Sequence, residues 1–161
     1  MTAPRTRTSV VVRWAVVATI GLALLAPMAA ARPLHRAVQP PTSVDLRDRM
    51  LALINRSRAT RGLPSLRLNV RLSREALGHS RAMAHEQQLF HTQGLVGLIT
   101  QAGGTVFGEN LGKGRGLRGI RDAWLRHDDT RRILLDARFR HAGLGVLHRD
   151  GFYWVTLQAY D

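Results

Sequence analysis

The sequence predicts an α+β domain: an α-β-α sandwich in which a small antiparallel sheet is covered by helices on both faces. Three observations lead there. Apolar residues recur at helical spacing before any clear strand is reached. Strand-like runs gather at the C-terminus, where residues 142–149 and 152–160 flank Asp150-Gly151, a dipeptide that favours a type I′ turn. Along the last run Phe152, Trp154 and Thr156 face one side, and Tyr153, Val155 and Leu157 the other. Large apolar groups on both faces require cover on both.

The N-terminus precedes the domain. Arg5, Arg7 and Arg13 form a positive stretch without an acid, residues 14–26 are an uncharged apolar core, and Pro27 followed by Ala29, Ala30 and Ala31 supplies a cleavage-type end. Residues 1–31 are therefore expected to be a signal peptide, with no adjacent arginine pair to suggest the twin-arginine route. The alternative is an uncleaved membrane anchor, although residues 14–31 fall short of the ~20 needed to span a bilayer. Residues 32–42 carry Pro33, Pro40 and Pro41 and no apolar period, a linker. The domain then runs over 43–161, enough for one core burying about two thirds of the unfolded chain's surface.

Within it a first helix follows Ser43, with Asp45 and Asp48 near its positive end and Leu46, Met50, Leu53 and Ile54 as one stripe. Gly62 and Pro64 end it. A second helix is predicted over 70–89, its stripe being Leu72, Ala76, Leu77, Ser80, Met83, Ala84 and Gln87. Residues 95–102 form a shorter apolar segment stopped by Gly103-Gly104. Residues 105–111 alternate weakly, as a short strand does. Leu117, Ile120, Ala123 and Trp124 mark another helix, followed by a turn over 131–135, and the hairpin closes the chain.

Composition limits the partners. Removing the three leader arginines lowers the formal charge from +13 to +10, and Lys113 is the only lysine. The arginines are scattered and not interleaved with aromatics, so no nucleic acid is expected, only salt-sensitive adhesion to acidic surfaces. There is no cysteine, which excludes disulfides, thiolate metal sites and cysteine nucleophiles.

Several motifs fail on inspection. His85-Glu86-Gln87-Gln88-Leu89 has leucine where H-E-x-x-H needs its second histidine. Gly78-His79-Ser80-Arg81-Ala82 lies mid-helix, not on the strained strand-to-helix turn of a nucleophile elbow. Gly112-Lys113-Gly114 lacks the remaining phosphate-loop residues and reads as a flexible loop. His91 and Glu109 remain, both in Gly-flanked, non-helical stretches. One imidazole and one carboxylate at a cleft can share a divalent metal or fix each other's protonation. The competing structural reading is that His91 meets the dipole at the end of the second helix while Glu109 accepts from nearby backbone amides.

Four strings weigh on that choice: Gly78-His79-Ser80, Phe90-His91-Thr92, Gly108-Glu109-Asn110-Leu111 and Ala123-Trp124-Leu125. In order and spacing they resemble the CAP superfamily (cysteine-rich secretory proteins, antigen 5 and pathogenesis-related 1), in its short, bacterial, cysteine-free SCP-like form. The likeness extends over residues 46–161. Leu63-Pro64, Leu66, Asn69, Leu72, Ala76 and Met83 follow the family's opening, and Ile133-Leu134-Leu135-Asp136, Phe139 and Gly143-Leu144-Gly145-Val146 its second half. The resemblance implies that His91 and Glu109 are two members of a cleft tetrad of histidines and acids, sometimes metal-binding. Bacterial members place a further histidine six residues after the tryptophan, ahead of an arginine; here that pair is Thr130-Arg131. A hydroxyl is a poor zinc ligand beside imidazole. His127, one helical turn earlier, is the substitute donor, unless His127-Asp128-Asp129 is simply a solvated helix end. The family's terminal Thr-Gln pair survives only as Thr156-Leu157-Gln158, and His79 is expected to pack between helices with its nitrogens satisfied.

The expected cleft is thus His91, Glu109, Asn110, His127 and Thr130, with His91 and Glu109 as the pair for a divalent metal such as zinc. The resemblance implies a secreted, monomeric, non-enzymatic module binding a lipid or cell-wall polymer, touching membrane only through an uncleaved leader. A metal-assisted hydrolase or peptidase using His91 and Glu109 is the alternative, and a surface protein with a vestigial cleft a third reading.

Overall fold

Helix α1 (Ser43–Ala59) begins where Thr42 closes a capping box. The Thr42 hydroxyl accepts from the Asp45 amide at 3.2 Å, and the Asp45 carboxylate accepts from the Thr42 amide at 2.8 Å. Two orphan donors of the first turn are satisfied reciprocally. The computed structural model describes residues 39–161, so the expected signal peptide and most of the expected linker lie outside the described residues. Among the described residues no helix is long and apolar enough to cross a membrane.

α1 ends near Gly62, whose φ of 68° is the left-handed conformation that glycine adopts freely. A two-residue strand, β1 (Arg67–Leu68), follows, and Asn69 caps α2 (Val70–Glu86) by accepting from the Leu72 amide at 3.0 Å. α2 stops three residues before the expected Leu89 because Gln87 turns left-handed, with φ at 56°. Next come α3 (Leu95–Gln101), β2 (Phe107–Gly114), α4 (Leu117–Arg126) and α5 (Asp128–Leu134). β3 (His141–Arg149) and β4 (Phe152–Tyr160) complete the chain. Asp150 and Gly151 both have positive φ, as the type I′ reading requires.

The sheet order is β1-β3-β4-β2. β2, β3 and β4 are antiparallel, as expected, but β1 runs parallel to β3 through Arg67↔His141 and Leu68↔Ala142, so the sheet is mixed. Two residues are too few to show a period in sequence. Two other expectations are corrected. The turn over 131–135 is the helix α5, and the supposed flexible loop at Gly112-Lys113-Gly114 is the end of β2. Glycine is needed there because a Cβ at Gly112 would lie 2.4 Å from Ile120 Cγ2.

Helices cover both faces. Ala142, Leu144, Val146, Val155, Leu157 and Ala159 meet Leu46, Met50 and Ile54 of α1 and Ile120 and Trp124 of α4. On the other face α2 approaches β3 so closely that a Cβ at Gly145 would sit 2.2 Å from the Ala76 backbone. Trp154 packs there with Met83 and Ala84. Arg58 is wholly buried and clamps the far end of α1. Its guanidinium donates to the carbonyls of Pro64 at 2.9 Å, Leu134 at 2.8 Å, Asp136 at 3.1 Å and Phe139 at 3.0 Å.

Candidate functional site

Strand alternation decides which residues of Gly108-Glu109-Asn110-Leu111 can meet the loop after α2. Glu109 faces the α2 side of the sheet, where the left-handed turn at Gln87 redirects the chain past β2. There the Glu109 carboxylate is ringed by donors. His91 Nδ1 lies 2.7 Å from Oε2 and the Thr92 amide donates to the same oxygen at 3.0 Å. The Thr92 hydroxyl reaches Oε1 at 2.5 Å, and Gln158 Nε2 donates to Oε1 at 3.1 Å and to the Thr92 hydroxyl at 3.0 Å. A carboxylate can only accept, so Nδ1 of His91 carries the proton it donates. The Glu109 side chain is 3% exposed and that of His91 75%. Burial alone would raise the Glu109 carboxyl, but donation from Thr92, His91 and Gln158 outweighs it and holds the group below the ordinary glutamate value.

His79 stands beside this pair. Its Nδ1 lies 3.1 Å from the Thr156 hydroxyl, itself 3.0 Å from the Ser80 hydroxyl, and the ring meets Phe90 edge-on at 5.1 Å. Its Nε2 is buried without a partner, so only one of the two nitrogens expected to be satisfied is. Burial lowers its basicity, partly offset by the charge of Glu109. An open groove of about 550 Å³ runs past His79 and Thr92, walled by Gly78 and Ala82 of α2 and by Phe90 and Leu98 opposite.

His91 and Glu109, which the resemblance places in one cleft, lie within hydrogen-bond distance. The other three cleft residues do not join them. Asn110 is wholly buried on the opposite face of β2 and donates to the Thr130 carbonyl at 2.8 Å. The Thr130 hydroxyl donates to the carbonyls of Trp124 at 2.9 Å and His127 at 3.2 Å. These bonds tie β2 to the α4–α5 junction. His127 is exposed ahead of α5 and its side chain caps nothing. Thr92 and Gln158 take their places around the carboxylate, and His79 bonds instead to Thr156. A glutamine on a strand covered on both faces was the available signal for Gln158, because a buried amide demands partners.

Of the pair expected to hold zinc, only the exposed His91 ring has a nitrogen left to offer, its Nε2, because Nδ1 donates to the carboxylate. Both Glu109 oxygens already accept two bonds, and among the described residues no group of three or more His, Cys, Asp or Glu converges, so these residues supply too few donors for a zinc site of their own.

The model of the Cysteine-rich secretory protein family, CAP, matches residues 51–160. An extracellular protein containing an SCP domain from Bacillus anthracis is similar at 26% identity and a TM-score of 0.56, covering 76% of this chain. This chain spans only 44% of the length of that protein. An outer surface protein from Borrelia burgdorferi (17% identity, TM-score 0.64) covers 76% of this chain and 96% of its own. A cysteine-rich secretory protein from Staphylococcus aureus (17%, TM-score 0.62) covers 76% of this chain and 40% of its own. The last two share the fold. No curated protein matches the chain.

Proposed function

The chain belongs to the cysteine-rich secretory protein (CAP) family, and from that premise we propose that it is a non-enzymatic binding module that acts outside the cytoplasm on a lipid or cell-envelope ligand. One observation carries the reading: the Glu109 carboxylate accepts from three residues, is nearly inaccessible and is held ionised. A general base needs a free lone pair and a pKa near the working pH. Glu109 has neither, so it serves to fix the loop that forms one wall of the groove. The mixed apolar and polar lining supports a ligand held by contact and orientation. The extracellular and outer-surface descriptions of the similar proteins support an extracytoplasmic setting.

The protein is incubated with an envelope extract, recovered at low salt and examined by mass spectrometry. An enriched lipid or wall fragment, lost when Ala82→Trp fills the groove, is the expected result; a clean blank overturns the reading. Zinc titration by calorimetry accompanies it. No binding is expected, and zinc binding abolished by His91→Ala would replace this reading with a metal-assisted hydrolase.

A further inference from the structure

Glu75 lines the same groove, one turn of α2 before His79. Of the eleven acidic residues in the chain, it alone has no ion-pair or hydrogen-bond partner among the described residues. The basic side chains that helix spacing would offer are engaged elsewhere. Arg71, four residues earlier, donates to Gln101 Oε1 at 2.9 Å, and His79, four residues later, turns Nδ1 to Thr156. Arg74 lines a separate recess with Val44 and Arg47 of α1. In a chain of formal charge +13, an unneutralised carboxylate at a groove is the exception. The wall beyond it is small and apolar, and a Cβ at Gly78 would meet nothing within 4 Å.

We propose that the groove takes an alkylammonium, its protonated amine paired with Glu75 and its apolar stem lying over Gly78 and Ala82 against Phe90 and Leu98. The inference rests on the binding reading above and names the ligand class. The seven helical steps from Glu75 to Ala82 span about 10 Å, which accommodates a stem of about eight carbons. Selectivity arises from the contrast in charge. An amine is repelled by the arginine-rich surface but pairs with Glu75, whereas a carboxylate of equal length meets a like charge there.

Calorimetric titration with octylamine, octanol and octanoate tests this on the protein and on the Glu75→Gln and Gly78→Leu variants. Octylamine is expected to bind about fivefold more tightly than octanol, as an exposed ion pair allows, and octanoate most weakly. Glu75→Gln should erase the preference for the amine while leaving octanol unchanged, and Gly78→Leu should weaken both. Octanoate binding as well as octylamine, or an amine preference that survives Glu75→Gln, overturns the proposal alone. If none of the three binds, the groove takes no apolar stem and the amine proposal falls, while the binding reading stands or falls separately on the envelope extract.

Discussion

Nδ1 of His91 lies 2.7 Å from Oε2 of Glu109, so a carboxylate on the border strand holds the loop that leaves α2. The two partners are unequally placed, one largely in solvent and the other almost wholly out of it. Their substitution should therefore differ in cost. Glu109→Gln sets an amide among donors that all need an acceptor and is expected to lose about 1–3 kcal/mol. His91→Ala should lose less than about 1 kcal/mol. Urea unfolding measures both, and equal losses would contradict the geometry.

Arg58 offers a larger effect. Its guanidinium, itself wholly buried, satisfies four carbonyls. Arg58→Met keeps the length but orphans those acceptors, and about 3–5 kcal/mol is expected to be lost. Arg58→Lys should recover only part of this, since a point charge cannot fork to four oxygens. Unfolding midpoints of the three proteins rank them.

Glycine substitutions should split by location. Gly145→Ala places a methyl inside the Ala76 backbone and is expected to prevent a stable fold or lower stability by more than about 3 kcal/mol. Gly119→Ala, exposed in α4 with open space around it, should stabilise by about 0.5–1 kcal/mol. Thermal melts of both decide it.

Acid should weaken the fold in two stages. His79 is harder to protonate folded than unfolded, so below the ordinary histidine value of about 6.5 the unfolded chain takes up more protons and stability declines. His79→Gln should flatten that slope. Lower down, Asp161 is held at about 2 by the Thr105 hydroxyl and by the Thr105 and Val106 amides. Its contribution is present above about pH 4 and disappears as pH falls toward its folded value. Asp161→Asn should lower stability at neutral pH and make the acid limb shallower. Denaturant titrations across pH follow both stages.

Much of this fold was legible because helical stripes and the Asp150-Gly151 hairpin are local patterns. The alternation of Phe152, Trp154 and Thr156 against Tyr153, Val155 and Leu157 correctly demanded cover on both faces. β1 was not legible, since its pairing with β3 is made by residues 74 positions apart in sequence. The site was read in part for a related reason. His91 and Glu109 were found through their strings, but membership of one string does not place Glu109 and Asn110 on one face. Thr130 and His127 enter the expected cleft through the family's histidine position after Trp124, whereas Gln158 reaches the carboxylate only because β2 lies beside β4.

The indole of Trp124 donates to the Leu111 carbonyl at 2.7 Å, on the flank of β2 that no other strand occupies. An open strand flank invites another chain to stack on it. In a chain without a cysteine to crosslink the sheet, that one side chain works as a stopper: it occupies a carbonyl that an incoming strand would need as a rung.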